Sequence, residues 1–340
     1  MTSPQNGAGA SAPTDGRDDV SRETTPPSPQ QENWPEKNAP DAWDDPVGID
    51  TPIGAEAERA VRLLHAASKG SLPRPDRQRV FTIANQKGGV GKTTTTVNIA
   101  AALALHGQRV LVVDLDPQGN ASTALGVEHH TGTPSVYDVL VDGRPLTEVV
   151  QPASEIEGLF CAPATIDLAG AEIELVSLVA RETRLRKPLD AYTEGLDERL
   201  DYDLIDCPPS LGLLTVNAFV AAQEVLIPIQ CEYYALEGLG QLLKNVEMIK
   251  AHLNPGLDVS TILLTMYDAR TRLAAQVADE VREHFGTVVL KTSIPRSVRV
   301  SEAPSYQQTV MTYDPGSSGA LCYLEAAREI ATAARPEESR

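Results

Sequence analysis

An α/β domain with a doubly wound, mostly parallel sheet and helices on both faces is the fold the sequence predicts, on three observations. Short β-rich apolar runs recur from residue 79 to residue 294, and helical patterns separate them. The chain has 340 residues, enough to bury a large core without disulfide or metal staples.

Residues 1–50 are rich in Pro, Ser, Thr, Gly, Asp and Glu, with ten acidic and three basic side chains. Too little apolar surface is available there to offset the entropy of ordering, so the composition predicts a disordered acidic tail. The tail serves solubility or, through Trp34 and Trp43, a further partner. Thr51 and Pro52 then open a helical pattern, with Ile53, Ala57, Val61 and Leu64 on one stripe. Residues 51–78 are read as that amphipathic helix and a Pro-rich joint. From 79 the β-rich runs are 79–84, 109–114, 202–207, 224–229, 259–266 and 288–294. Helical stripes lie over Val97–Leu105, Leu239–Leu253 and Leu273–Phe285. The pattern holds until the last twenty residues; the domain is placed at 79–335, with a disordered end at 336–340. Ligands of such sheets sit at the carboxyl ends of the strands, so the loops there carry the search for chemistry.

The formal net charge of −18 excludes a chain that coats nucleic acid or anionic lipid with its whole surface. Cys161, Cys207, Cys231 and Cys322 lie far apart without a C-x-x-C pair, so neither a disulfide framework nor a zinc ribbon is expected. No apolar run reaches bilayer-spanning length and the first residues lack signal-peptide regions. A cytoplasmic chain without a membrane anchor is expected. The six histidines show no metal spacing and are read as structural or solvated.

The loop after the first run reads Asn85-Gln86-Lys87-Gly88-Gly89-Val90-Gly91-Lys92-Thr93-Thr94 and leads directly into a helix. Its glycines let successive N–H groups turn toward one anion, and the helix adds its positive end. Lys92 supplies a full charge at the β- and γ-phosphates, and Thr93 offers a hydroxyl to Mg²⁺. ATP and Mg²⁺ are therefore the expected cofactors. The strict G-x-x-x-x-G-K-[ST] pattern is broken at Gln86, and a second lysine follows it. This K-G-G-x-G-K-T-T form resembles the deviant Walker A loop of the ParA/MinD family of P-loop ATPases. The resemblance makes Lys87 a charge that reaches across an ATP-bound homodimer to the partner's phosphates. Residues 87–94 are the expected phosphate-binding set.

The second run ends in Asp114-Leu115-Asp116-Pro117-Gln118-Gly119-Asn120. Strand alternation places Asp114 and Asp116 on one side, where a carboxylate could position water near a γ-phosphate. The stretch is similar to the family's switch I, and by that resemblance Asp116 is the residue required for hydrolysis. The third run, Tyr202-Asp203-Leu204-Ile205-Asp206, is a Walker B pattern whose Asp206 would hold Mg²⁺, with Cys207 a packing residue.

Two downstream segments resemble chromosomal ParA (Soj-like) partition proteins: Gln230 to Gly238, containing E-Y-Y-A-L-E-G, and Ile294 to Ser305, containing I-P-R-S-V-R-V-S-E-A-P-S. The likeness covers about 79–334. It implies an adenine contact at Pro295 and nonspecific double-stranded DNA binding by the ATP dimer through Arg270 and Arg299, with Arg272, Lys291 and Arg296 as neighbours. It further implies a ParB-type centromere-binding protein that stimulates hydrolysis, and a nucleoid-associated location. A MinD-like positioning ATPase for another cargo is the alternative, but Pro336, Glu337 and Glu338 stand where a basic anchor would be expected. A nitrogenase-like redox ATPase lacks placed cysteines, and a P-loop tyrosine kinase lacks a tyrosine cluster. A scaffold that binds ATP without turnover is opposed by Asp116 alone.

Overall fold

In the computed structural model the described residues are 71–153, 155–233 and 235–333. The readings for 1–50, for the helix that begins at Thr51 and for 336–340 lie outside them.

Eight strands form one sheet in the order β3-β4-β2-β5-β1-β6-β7-β8. They are β1 (Arg79–Ile83), β2 (Val110–Asp114), β3 (Gln151–Pro152), β4 (Leu159–Ala162), β5 (Tyr202–Asp206), β6 (Glu224–Gln230), β7 (Asp258–Tyr267) and β8 (Val289–Pro295). Every pairing is parallel except the short β3–β4 edge. All six β-rich runs of the sequence are strands. The two it does not reveal are β3, too short for any periodicity, and β4, a four-residue run squeezed between Gly158 and Pro163.

The helices are α1 (Lys92–Leu105), α2 (Asn120–Ala124), α3 (Leu168–Leu175), α4 (Arg186–Glu194), α5 (Leu213–Ala221), α6 (Ala235–His252), α7 (Arg272–Phe285), α8 (Val298–Glu302), α9 (Val310–Tyr313) and α10 (Ser318–Thr332). Two cores cover the sheet. One joins Phe81, Ile83, Val110, Val112 and Leu204 to α1 and α10. The other joins Val80, Leu111, Val113, Ile205 and Val225 to α3 through α7. Successive strand residues thus alternate between two buried faces, which is why these strands read as continuous apolar runs. Leu72 of the joint is 5% exposed and packs in the α1 core, where its carbonyl accepts from Gln108 Nε2 at 2.9 Å.

The chain passes from β1 across to β2, returns to insert β5 between them, and then continues outward on the far side of β1. That reversal opens a crevice at the carboxyl end of β1, where α1 begins. At the opposite end of the sheet the buried Arg79 guanidinium makes two 2.7 Å bonds to Glu224 and lies over the Phe81 ring, locking β1 to β6.

Asp203 is fully buried in β5. Its Oδ2 accepts from Gln78 Nε2 at 2.6 Å, while its Oδ1 has no partner. Burial pushes its carboxyl up to about 7, with Asp190 adding to the rise and the Gln78 bond opposing it. The folded state therefore holds this proton more tightly than the unfolded chain does. The associated stability is complete below about pH 4 and is lost as pH rises through about 7. Asp203→Asn is expected to be more stable than wild type at pH 8 by roughly 2–4 kcal/mol and to show little gain at pH 4. Urea unfolding at the two pH values measures the difference.

Candidate functional site

The loop after β1 is held by β6, by β7 and by a bond within itself. Asn85 Nδ2 donates to the Pro228 carbonyl at 2.8 Å and Asn85 Oδ1 accepts the Lys87 N–H at 3.0 Å. Thr265 Oγ1, from β7, donates to the Val90 carbonyl at 2.8 Å. Gly89 and Gly91 have φ of +75° and +88°, with nothing within 4 Å of where a Cβ would stand. Their requirement is the left-handed backbone itself, and the space beside them is open. Gly91 is the N-cap of α1 and no side chain caps that terminus, so its first-turn N–H groups and the helix dipole face the loop.

Lys92, 7% exposed, opens α1 in the electrostatic reach of three groups. Burial lowers its amine, opposed by Asp206, Cys207 and Asp116. Asp206, at the end of β5, is fully buried; its Oδ1 accepts from Thr96 Oγ1 at 3.0 Å, and Thr93 lies close enough to oppose the rise of its carboxyl. Its Oδ2 is buried without a donor. Burial raises the Asp206 carboxyl, and the neighbouring Asp114, its cross-strand partner, raises it further. A cation beside Oδ2 would reverse that balance, so the orphaned oxygen fits a metal-bound water.

The two aspartates at the end of β2 divide differently from the strand-alternation expectation. β2 ends at Asp114, so a turn, and not the pleat, sets Asp116. Asp114 is fully buried with both oxygens engaged: Oδ1 accepts the Asp116 N–H at 3.1 Å, and Oδ2 accepts the Ser122 N–H at 2.9 Å and hydroxyl at 2.7 Å. Asp116 is 8% exposed, and its Oδ1 accepts the Gln118 N–H at 3.0 Å. The structure thus brings Lys92, Thr93, Asp116 and Asp206 together below the open loop.

Gly88 and Gly89 are exposed at the rim, Thr94 is half-buried, and Val90, 1% exposed, plugs the loop from beneath. Lys87 is exposed and its Nζ lies 2.5 Å from Glu232 Oε2 in the same chain. Pro295 ends β8, half-buried and paired with Tyr267. Just before Tyr267, Met266 takes φ of 50° and the β7–β8 register slips, turning both strands where they reach the site. Arg270 binds both oxygens of Asp268 at 2.9 Å, and the pair holds that carboxyl down to about 2. Arg299 lies between Glu302 and Asp314, each at 3.3 Å. Both predicted DNA-contact arginines are therefore exposed but carry carboxylate partners. Cys207 is fully buried with its thiol pushed up by burial, and it packs as expected.

A family model described as an AAA domain matches residues 78–259. The sporulation initiation inhibitor protein Soj of Bacillus subtilis (strain 168) is 53% identical over 253 residues, which is 74% of this chain and 98% of that relative. The chain belongs to the ParA/MinD family of ATPases and stands close to Soj. The chromosome partitioning protein ParA of Myxococcus xanthus is 49% identical over 262 residues, 77% of this chain and 91% of the relative. Among solved structures, cobyrinic acid a,c-diamide synthase from Mycobacterium smegmatis with bound ATP analog and magnesium is 39% identical. It has a TM-score of 0.62 and covers 74% of this chain and 93% of its own. The septum site-determining protein MinD from Pyrococcus horikoshii, complexed with Mg-ADP, aligns at TM-score 0.59 with 26% identity, over 74% and 96% of the two chains.

Sequence reasoning missed three side chains that organise the site of this ParA-family chain. Thr96 stands one turn after Lys92 and reaches Asp206, a spacing the four-threonine run made visible. Ser122 bridges the turn after β2 to the segment that follows β4, since its hydroxyl also accepts the Ala164 N–H at 3.1 Å. Glu232 holds Lys87, and nothing in sequence separation hinted at that pairing.

Proposed function

We propose that the chain is an ATP-dependent partition ATPase: ATP closes a homodimer, the dimer holds nonspecific double-stranded DNA, and hydrolysis stimulated by a ParB-type centromere-binding protein releases it. The observation that carries this reading is the convergence of Lys92, Thr93, Asp116 and the orphaned Asp206 oxygen beneath an uncapped helix start. Residues 87–94 would hold the phosphates, Thr93 and Asp206 the Mg²⁺ through its shell, and Pro295 the adenine. Bound Mg²⁺ supplies neutralisation of charge on the β- and γ-phosphate oxygens. Lys92 matches that charge from inside the loop. Asp116 orients the attacking water. Lys87 exchanges Glu232 for the phosphates of the second copy, so one lysine serves each nucleotide in cis and one in trans.

Arg270 and Arg299 are the assigned DNA contacts, and a dimer doubles their number. The expected location is the nucleoid. A MinD-like positioning ATPase for another cargo is the competing reading. Among the described residues no helix is long and apolar enough to cross a bilayer.

DNA co-sedimentation compared across ADP, ATP and a nonhydrolysable analogue tests the proposal. Retention is expected with ATP and the analogue and release with ADP; equal behaviour in all three would remove the switch. Arg299→Glu is expected to weaken retention by about tenfold or more with ATP affinity unchanged, and to flatten the dependence of binding on salt. Wild-type retention at every salt concentration in that variant would move the DNA surface elsewhere.

A further inference from the structure

One chain of hydrogen bonds leads from the phosphate loop to Arg299. Asn98 is 2% exposed on α1; its Nδ2 donates to the Thr94 carbonyl at 2.7 Å and its Oδ1 accepts the Val310 N–H at 2.8 Å. Val310 begins α9, and its carbonyl accepts the Asp314 N–H at 3.1 Å at the other end of that turn. Asp314 Oδ2 in turn lies 3.3 Å from Arg299 Nε. The Asp314 carbonyl also accepts the Ser317 hydroxyl at 2.8 Å, at the start of α10, and α10 meets α1 again where Tyr323 and Thr95 hydroxyls lie 3.5 Å apart. The segment that carries Asp314 is therefore positioned by the helix that carries Lys92.

The charges at the far end are unequal. Two carboxylates, Glu302 and Asp314, face the one guanidinium of Arg299. In this arrangement the group is net negative, and an approaching phosphodiester meets repulsion where it needs a free cation. Glu302 sits three residues along the same helix and travels with Arg299. Asp314 belongs to a different segment, so it is the partner that a movement of α9 can withdraw.

We infer that Asp314 is a clasp that withholds Arg299 from nucleic-acid phosphate, and that Asn98 is the positioning residue tying this clasp to the nucleotide loop. A shift of the first turn of α1 on filling the loop moves Thr94, and through Asn98 it moves α9 and Asp314. The inference rests on the DNA reading of Arg299 given above and deepens it, because it names what regulates that contact.

Full-length protein is tested for binding to a nonspecific duplex of fixed length, with ADP and with a nonhydrolysable ATP analogue. Wild type is compared with Asp314→Asn and with Asp190→Asn, which removes an equal charge on α4. Asp314 is half-exposed, so its variant leaves the core intact. Asp314→Asn is expected to tighten DNA binding in ADP by about two- to fivefold relative to Asp190→Asn, and to match that control in the analogue state. The two variants agreeing in both states would overturn the clasp. The Asn98 link is read in wild type alone, from amide hydrogen exchange at Val310. Protection there is expected to differ by at least about threefold between ADP and analogue, and identical protection would overturn the link. Wild-type protein that binds no duplex in either state would overturn the DNA reading itself, an outcome distinct from wild-type binding that the Asp314 substitution fails to alter.

Discussion

Lys92→Ala is expected to weaken ATP binding by roughly a hundredfold or more and to abolish nucleotide-dependent dimer formation. The size of the effect follows from what remains after the amine is removed. Lys92 is almost wholly buried, and its neighbours are the carboxylates of Asp206 and Asp116. Truncation removes the one full positive charge inside the loop and leaves two acidic groups, Asp116 and the raised Asp206 carboxyl, beside the incoming phosphates in a poorly solvated place. The N–H groups of α1 still point at the ligand, but their partial charges are too small to offset two acids. Lys87→Ala separates the two lysines. Its side chain is exposed at the rim and paired with Glu232, so nucleotide binding to a single chain is expected to stay within about threefold of wild type while the dimer is lost. Isothermal titration and analytical ultracentrifugation measure the two quantities. Wild-type ATP affinity in Lys92→Ala would mean that the loop amides alone suffice, and dimerisation of Lys87→Ala would remove the trans charge.

The sheet was legible because its strands are buried on both faces. The run Val110–Asp114 is apolar up to its last residue, with no polar alternation to dilute the signal. The edge was illegible because β3 and β4 contribute only two and four residues, one and two periods of a strand, too few to stand out from the loops around them. The loop between β1 and α1 was readable because Gly89 and Gly91 adopt left-handed backbone that few other residues tolerate. Asp114 and Asp116 show the limit of such reading. Strand periodicity was extended two residues beyond the end of β2, and the turn that follows sends the carboxylates to different tasks. Contacts between distant segments were invisible altogether: Lys87 with Glu232, Asn98 with Val310, and Arg299 with Asp314 depend on topology that no local spacing encodes.

Asp116→Ala is expected to bind ATP and retain DNA while losing hydrolysis by about a hundredfold or more, which leaves the dimer trapped on DNA. Asp114 cannot take over, because it is fully buried and its two oxygens are turned to the Asp116 N–H and to Ser122. The alanine substitution removes two things at once, the charge and the acceptor that fixes the Gln118 N–H in the turn after β2. Asp116→Asn divides them, since its amide oxygen still closes the turn but carries no charge. Loss of single-turnover phosphate release in both variants assigns the effect to the carboxylate. Loss in alanine alone would make Asp116 a turn former, and the water would then answer to a group outside this cluster. Unimpaired turnover in both, with ATP binding intact, would leave the two-state DNA switch without its reset step.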